Sequence, residues 1–509
     1  MSNSKERKNG AILSYVSIAV NTIIQLLYTP LLIRMLGKSE YGLYSLVASI
    51  IGYLSVMDLG FGNAIIVYTA RYRAQKKVEE EKKLHGMFNF LFKIIGLITG
   101  ILGIILFLNV NNIFGSKMTN IELEKMKIMM LILSFNLFLT FFFAIYNSII
   151  SAYEKFTFQK IISIINSLLK PTLMIPLLFL GYKSIALCII ITIANLVTIL
   201  LNYLYCKKKI NINIKYSGFD KKIFSTVFGY SIWIFLGTIV DKVNWSVDNF
   251  ILGSISGTIA VATYSIAATL NTMFISLSTA ISSVLLPKMS KLVAKQASPE
   301  ELTNEMIKVG RIQNYVIFLM CSGLILFGKE FIKIWAGAEF EESYYVALLL
   351  IIPLCIPLIQ NLGLSIMQAM NKYKFKSIST FIMAIFNIII SVILTKKYGA
   401  IGAAMGTCIA LIICNIIIIN IYYYKKLNLN ILNFWKSILH QSIPLFIPVI
   451  IIILFMHFIY IGGILGFLVY GVIYTIIYCI IAYCFSMDKY EKSITNKLLN
   501  KIYPKKVKI

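Results

Sequence analysis

Long apolar runs separated by short polar breaks fill the chain from residue 11 onward. Each run is about 20 residues long, enough for a helix to cross the roughly 30 Å hydrocarbon core of a bilayer. The pattern predicts spans at about 11–33, 43–68, 88–110, 127–150, 159–180, 184–206, 230–252, 258–286, 311–335, 344–370, 376–395, 400–424, 438–460 and 462–486. This is an all-α integral membrane fold of about fourteen transmembrane helices. The connections are too short to hold a separate soluble domain.

Composition agrees, with 59% hydrophobic and 14% charged residues and a mean hydropathy of +0.82. A soluble domain is about 45–50% apolar and about 25% charged, so a cytosolic enzyme is excluded. Met1–Gly10 carries Lys5, Arg7 and Lys8, and no small-residue cleavage site follows the first apolar run, so that run is expected to stay as a helix. The eight cysteines lie in or beside apolar runs, and neither they nor His85, His440 and His457 are spaced as zinc ligands. No Gly-rich phosphate loop with a following Lys and Ser or Thr is present. The expectation is a protein that is not an enzyme and takes no metal or cofactor.

Basic residues set the orientation, because loops rich in Lys and Arg stay cytoplasmic. With the N-terminus inside, inner segments hold 35 of the 48 and outer segments only ten, which places both termini in the cytoplasm. The formal net charge of +27 then reads as topology signals lying against anionic lipid head groups, not as a nucleic-acid surface.

The two halves match at a nearly constant offset. Gly37, Tyr44, Ser45 and Ala48 align with Gly257, Tyr264, Ser265 and Ala268 at 220. Ala152, Lys155, Phe158 and Ile161 align with Ala369, Lys372, Phe375 and Ile378 at 217, and Tyr182, Ile185 and Ala186 face Tyr398, Ile401 and Gly402 at 216. Six spans lie between equivalent positions, so both halves enter the membrane in the same sense. The expected organisation is a six-helix bundle over 1–210, a second parallel bundle over 211–426, and two further helices with a basic cytoplasmic tail over 427–509. Such bundles can enclose a cleft that opens to alternate sides of the membrane.

A charge within hydrocarbon needs a partner, a cavity or a route to the surface. Lys93 is near enough to its span's end to snorkel. Lys170 lies near the midplane, just before Pro171, where a lost backbone bond frees a carbonyl. Asp241, Asn244, Trp245 and Asp248 recur at helical spacing on one face, with Lys242 beside Asp241. Shifting by 220 places Asn21 and Gln25 of the first span at matching depth. Asp58 adds an acid in the second span, beside Gly60 and Gly62. These nine residues are the candidate cavity lining; the plain alternative is that Asp58 with Lys170, or Asp241 with Lys242, form ion pairs that only hold the bundle together.

Thr29-Pro30-Leu31, Arg34 through Tyr44 and then Asp58-Leu59-Gly60 resemble the opening signature of the oligosaccharide flippases, the O-antigen and capsule type. Asp248 to Gly253 and Thr263 to Ala267 look like that family's segment joining its seventh and eighth helices. The signature positions are Arg34, Gly37, Tyr41, Gly42, Tyr44 and Tyr264. The group also contains multidrug-and-toxin exporters and lipid II flippases.

The resemblance implies translocation of oligosaccharide repeat units on undecaprenyl pyrophosphate from the inner to the outer leaflet of the bacterial cytoplasmic membrane. Its implied partners are the lipid-linked substrate, membrane lipids, a coupling ion such as H+ or Na+, and a polysaccharide polymerase with glycosyltransferases. The lipid II branch carries several arginines in its cavity, whereas no Arg stands at the midplane here. Physics favours the same cargo, because each sugar hydroxyl entering hydrocarbon unpaired costs several kcal/mol. The alternatives are an ion-coupled multidrug exporter of the same fold, or a flippase for another precursor such as lipid II or teichuronic acid. A polymerase would need a larger outer loop, and a scaffold would need its polar stripes packed shut.

Overall fold

The computed structural model describes residues 2–502 apart from 213, 283–288, 290, 291, 294, 371, 460 and 462. The side chains of Asp241, Asn244 and Trp245, three of the expected lining residues, lie outside the described residues. All regular structure among the described residues is helical. The first half comprises α1 (Ser2–Leu36), α2 (Lys38–Leu54), α3 (Phe61–Ala74), α4 (Val78–Phe114), α5 (Asn120–Phe142), α6 (Ala144–Ala152), α7 (Phe156–Phe179) and α8 (Ser184–Lys208). The second opens with α9 (Lys221–Ile255) and α10 (Thr258–Ser282) and continues through Pro299–Trp335.

Sequence signals start these helices. Thr119 accepts the Glu122 N–H while Glu122 reaches back to the Thr119 N–H, a reciprocal cap that satisfies two orphan donors of α5. Asp220 accepts from the N–H groups of Lys222 and Ile223 at the start of α9, and Ser298 caps Pro299–Trp335 with proline at its first position. Gly37 (φ 82°) and Gly257 (φ 83°) make the turns after α1 and α9 in a conformation that L side chains rarely adopt.

Eleven helices among the described residues are long and apolar enough to cross a membrane, or twelve if Ser343–Ile359 and Leu362–Ala369, bent by 52°, form one span. Fourteen are expected from the sequence. Part of the difference is a hairpin, since Tyr373–Lys426 counts as one run of 54 residues. Gly399 (φ 54°, ψ −130°) breaks that run. Ser391 donates to the Ala403 carbonyl at 3.3 Å and Asn387 to Thr407 at 3.2 Å. In a straight helix, residues so far apart in sequence would be separated by roughly 18 and 30 Å. The run therefore doubles back into two arms, which coincide with the expected spans 376–395 and 400–424. The expected span at 43–68, by contrast, is broken by a short 3-10 turn, Ser55–Asp58, into α2 and α3.

The repeat extends to element lengths and cores. α1 and α9 are each 35 residues long, and α4 and Pro299–Trp335 each 37. Phe158 stacks on Tyr205 with ring centroids 3.7 Å apart, and Phe375 stacks on Tyr422 at 3.9 Å, both members displaced by 217 positions. Ile145, Ile149 and Ile150 are fully buried in one core cluster, and Leu362, Ile366 and Met367, again 217 further on, are fully buried in another.

By its internal contacts the chain divides into two units, residues 1–265 with 391–403, and 266–390 with 404–509. In the first, the core runs through Phe61, Ile65, Leu84, Phe88, Phe92 and Phe141. Small residues let its helices approach closely: a Cβ on Gly103 would lie 2.3 Å from Ser134 Oγ, and one on Gly253 2.6 Å from Leu46. In the second, Met306, Leu362, Tyr423 and Phe434 are the centre. A smaller cluster there joins Phe327, Leu445 and Ile452 to Tyr470, Tyr474 and Tyr478. Rows of exposed isoleucine and leucine, such as Ile101, Ile104, Ile105 and Leu108 on α4, form the apolar surface a helix presents to lipid.

Candidate functional site

All the expected site residues fall in the first unit, and they form several local arrangements. The most developed uses the signature around Gly37. Beyond the Gly37 turn, α2 opens with Lys38, Ser39 and Glu40. Ser39 donates to Glu122 Oε1 at 2.5 Å, and Thr258, the first residue of α10, donates to the same oxygen at 2.8 Å. The other carboxylate oxygen of Glu122 accepts the Thr119 N–H at 2.9 Å and its hydroxyl at 3.0 Å. Glu40 is buried and accepts from Lys125 and from Ser184. Both carboxylates sit in the first turn of a helix, where the backbone dipole favours negative charge.

Gly42 completes the junction. A Cβ at that position would lie 1.9 Å from the Thr258 carbonyl oxygen, so α2 and α10 meet backbone to backbone. Four connections, α1–α2, α4–α5, α7–α8 and α9–α10, are thereby tied at one end of the unit. Of these residues Gly37, Tyr41 and Gly42 are expected signature positions, Ser39 and Glu40 stand in the same string without being singled out, and Glu122, Lys125, Ser184 and Thr258 are not expected from the sequence. The Thr-x-x-Glu capping pattern at 119–122 was the legible hint. Tyr41 is buried here, whereas Arg34 is exposed and Tyr44 half-buried.

Asp248 and Tyr264 come together. Asp248 is completely buried in α9 and accepts the Tyr264 hydroxyl of α10 at 2.5 Å. Its neighbour Asn249 turns to α2, donating to Ser49 at 2.8 Å, and accepts from Ser265 at 3.4 Å. Lys242, two turns earlier on α9, has its Nζ 3.6 Å from where a Cβ on Gly52 would stand. The end of α2 thus faces an ammonium group.

Asp58 lies at the break between α2 and α3. Leu59 (φ 53°) and Gly60 (φ 75°) turn the chain, and the Asp58 carboxylate accepts backbone N–H groups of Gly60 and Gly62. It serves as a cap on α3, in place of the orphan donors' missing partners. Asp58 and Lys170 form no ion pair, and among the described residues no carboxylate stands within ion-pair distance of Lys170.

Lys170 is half-buried in α7, followed by Pro171 and Pro176, each of which removes one backbone donor from the helix ladder. α7 packs along α1, and the Glu40–Ser184 bond shows that both helices end on the same side. Counted from those ends at Leu36 and Leu180, Gln25 and Lys170 lie at matching depth. Gln25 is exposed, while Asn21 donates to Ser17 at 3.5 Å. Lys93 rests over the Phe142 ring at 5.0 Å, consistent with a lysine stem lying on apolar surface. Among the described residues no group of three or more His, Cys, Asp or Glu could hold a metal ion.

Comparison with known proteins agrees with this architecture. A family model described as "Polysaccharide biosynthesis protein" matches residues 7–293. A protein of Shigella flexneri described as "Putative O-antigen transporter" is 23% identical over 409 residues, covering 78% of this chain and 92% of its own length. A Staphylococcus aureus "Capsular polysaccharide biosynthesis protein CapF" is 26% identical over 228 residues, 44% of this chain and 55% of that protein. Among solved structures, the lipid II flippase MurJ in an inward closed conformation superposes with a TM-score of 0.72 at 20% identity, covering 94% of this chain and 98% of MurJ. An inward-facing MATE family multidrug resistance transporter superposes at 0.63 with 16% identity, over 79% and 96%. These two show the fold, and the family match covers more than half of the chain. The chain belongs to the polysaccharide biosynthesis protein family, and its fold is that of the lipid II flippase and the MATE transporter it superposes on.

Proposed function

We propose that this protein is a flippase that carries oligosaccharide repeat units on undecaprenyl pyrophosphate from the cytoplasmic to the outer leaflet by alternating access. The observation that carries this reading is the similarity to an O-antigen transporter along 78% of the chain and 92% of that relative. A repeat unit exposes many hydroxyls, each costing several kcal/mol in hydrocarbon without a partner, so its head group needs a polar route while its isoprenoid tail stays in lipid.

In this reading residues 1–210 and 211–426 are the two moving lobes, and 427–509 is an accessory pair of helices with a cytoplasmic tail. Both termini are cytoplasmic, so the Glu40 and Glu122 junction lies at the outer face and the chain is held shut there. Lys170, half-buried with no carboxylate near it among the described residues, attracts the pyrophosphate. Gln25 at the same depth, with Asn21, Asp241, Lys242, Asn244 and Trp245, belongs to the passage. Movement is coupled to an ion gradient or to the membrane potential, which is worth about 2.3 kcal/mol per charge per 100 mV.

The test is deletion of the gene followed by mass analysis of lipid-linked intermediates. Accumulation of a complete, unpolymerised repeat unit on the inner leaflet supports the reading. Unchanged lipid-linked intermediates, together with new sensitivity to flat organic cations, would replace it with a multidrug exporter.

A further inference from the structure

Within the first unit, α6, α7 and α8 enclose a groove of about 270 Å³ that no part of the signature touches. Its wall is built from Asn147, Gln159, Ser163, Asn166, Thr198 and Asn202, with Ile162 as an apolar patch and no charged side chain. Asn166 donates to the Ala194 carbonyl at 3.0 Å and to Thr198 at 2.8 Å. Gln159 donates to Ser151 at 2.6 Å and to Asn147 Oδ1 at 3.2 Å. These bonds brace the wall. Among the described residues, the Ser163 hydroxyl and the Asn202 amide make no side-chain hydrogen bond and remain available.

The repeat shows that the fold does not require the three asparagines of this wall. The second half carries the same framework, down to the Phe375–Tyr422 stack that answers Phe158–Tyr205. Shifting by 217 replaces Asn147, Asn166 and Asn202 with Leu364, Met383 and Ile419, of which Met383 and Ile419 are buried, while Gln159, Ile162, Ser163 and Thr198 become the polar Lys376, Ser379, Thr380 and Asn415. Ser167, also on the wall, becomes the buried Ala384. At these four positions one copy of the duplicated bundle carries hydrocarbon, and the other keeps amides and a hydroxyl, three of them on α7 and α8, which are candidate membrane-spanning helices, and one on the short α6. Polar groups at that depth call for a functional explanation.

From this contrast we propose that the α6–α7–α8 groove is a binding subsite for one neutral sugar residue of the cargo, a role that rests on the flippase reading. An amide offers donors and an acceptor, and a hydroxyl both, which matches a polyhydroxylated ring. The absence of charge from the wall fits neither a phosphate nor a cation. Ile162 faces the C–H side of the ring, and the groove's size suits a single residue, not a whole repeat unit. The pyrophosphate is left to Lys170, further along α7.

The test uses Ser163→Ala, Asn202→Ile and the pair Asn147→Leu with Asn202→Ile; the replacements at 147 and 202 copy the residues the second half carries. Full-length proteins purified in detergent are titrated with the strain's own lipid-linked oligosaccharide and with undecaprenyl pyrophosphate bearing no sugar. The expected result is a loss of about tenfold in affinity for the sugar-bearing lipid, with affinity for the bare lipid changed by less than about twofold, and retention of sugar binding by Asn202→Gln. Equal affinity for the sugar-bearing lipid in variant and wild type, or an equal fall for both lipids, overturns the subsite. If the deletion strain accumulates repeat units but the groove variants bind normally, only the subsite fails. If the deletion strain accumulates none, the flippase reading fails as well.

Discussion

At the scale of single residues, the signature around Gly37 is explained by contacts that its spacing does not reveal. Gly42 is glycine because the Thr258 carbonyl occupies the place of a side chain. Gly42→Ala is expected to lower stability by about 1–3 kcal/mol through forced separation of α2 from α10. Thermal unfolding of the purified protein in detergent would read this as a lowered midpoint, and an unchanged midpoint would contradict the close approach. Tyr264→Phe removes the hydroxyl that donates to Asp248 Oδ2 and leaves a buried carboxylate with less support, costing about 1–3 kcal/mol in the same measurement. The sequence made Gly37, Asp248 and Tyr264 visible because they stand in a recognisable string. Glu40 stands in the same string without being singled out, and Glu122 lies outside it, because their importance depends on which chain ends meet, which apolar periodicity does not encode.

Among the elements, helix lengths and the duplicated plan were legible, since apolar run length and offset survive in the residues themselves. The 35-residue α1 and α9, the 37-residue pair and the repeated aromatic stack make the duplication physical. The break inside the second span was not foreseen, although Asp58-Leu59-Gly60 contains a capping acid and a turn glycine. An apolar run reads through such a break, because Leu54, Val56, Met57, Leu59 and Phe61 keep the hydropathy high. Asp58→Ala is expected to cost about 0.5–2 kcal/mol by uncapping α3, and Asp58→Asn less, since a carboxamide oxygen still accepts from Gly60 and Gly62. Comparing the two variants by thermal unfolding tests the capping role; if Asn fails as badly as Ala, the charge itself is needed.

For the whole molecule, the excess of basic residues on one set of connections predicts a single orientation. With the native cysteines replaced, Lys117→Cys is expected to react with a membrane-impermeant maleimide in intact cells, while Lys77→Cys reacts only after lysis. The reverse pattern would invert the topology and with it the direction of transport. That topology has a mechanical corollary at the Glu122 junction, where one carboxylate oxygen serves hydroxyls from two different helices. Ser39 and Thr258 back each other up, so dropping either still leaves a strand of the knot tied. Glu122 has no such understudy among the described residues: trim its side chain to a methyl group and both strands come loose together. Wear at this seam is therefore lopsided, forgiving toward its hydroxyls and unforgiving toward its acid.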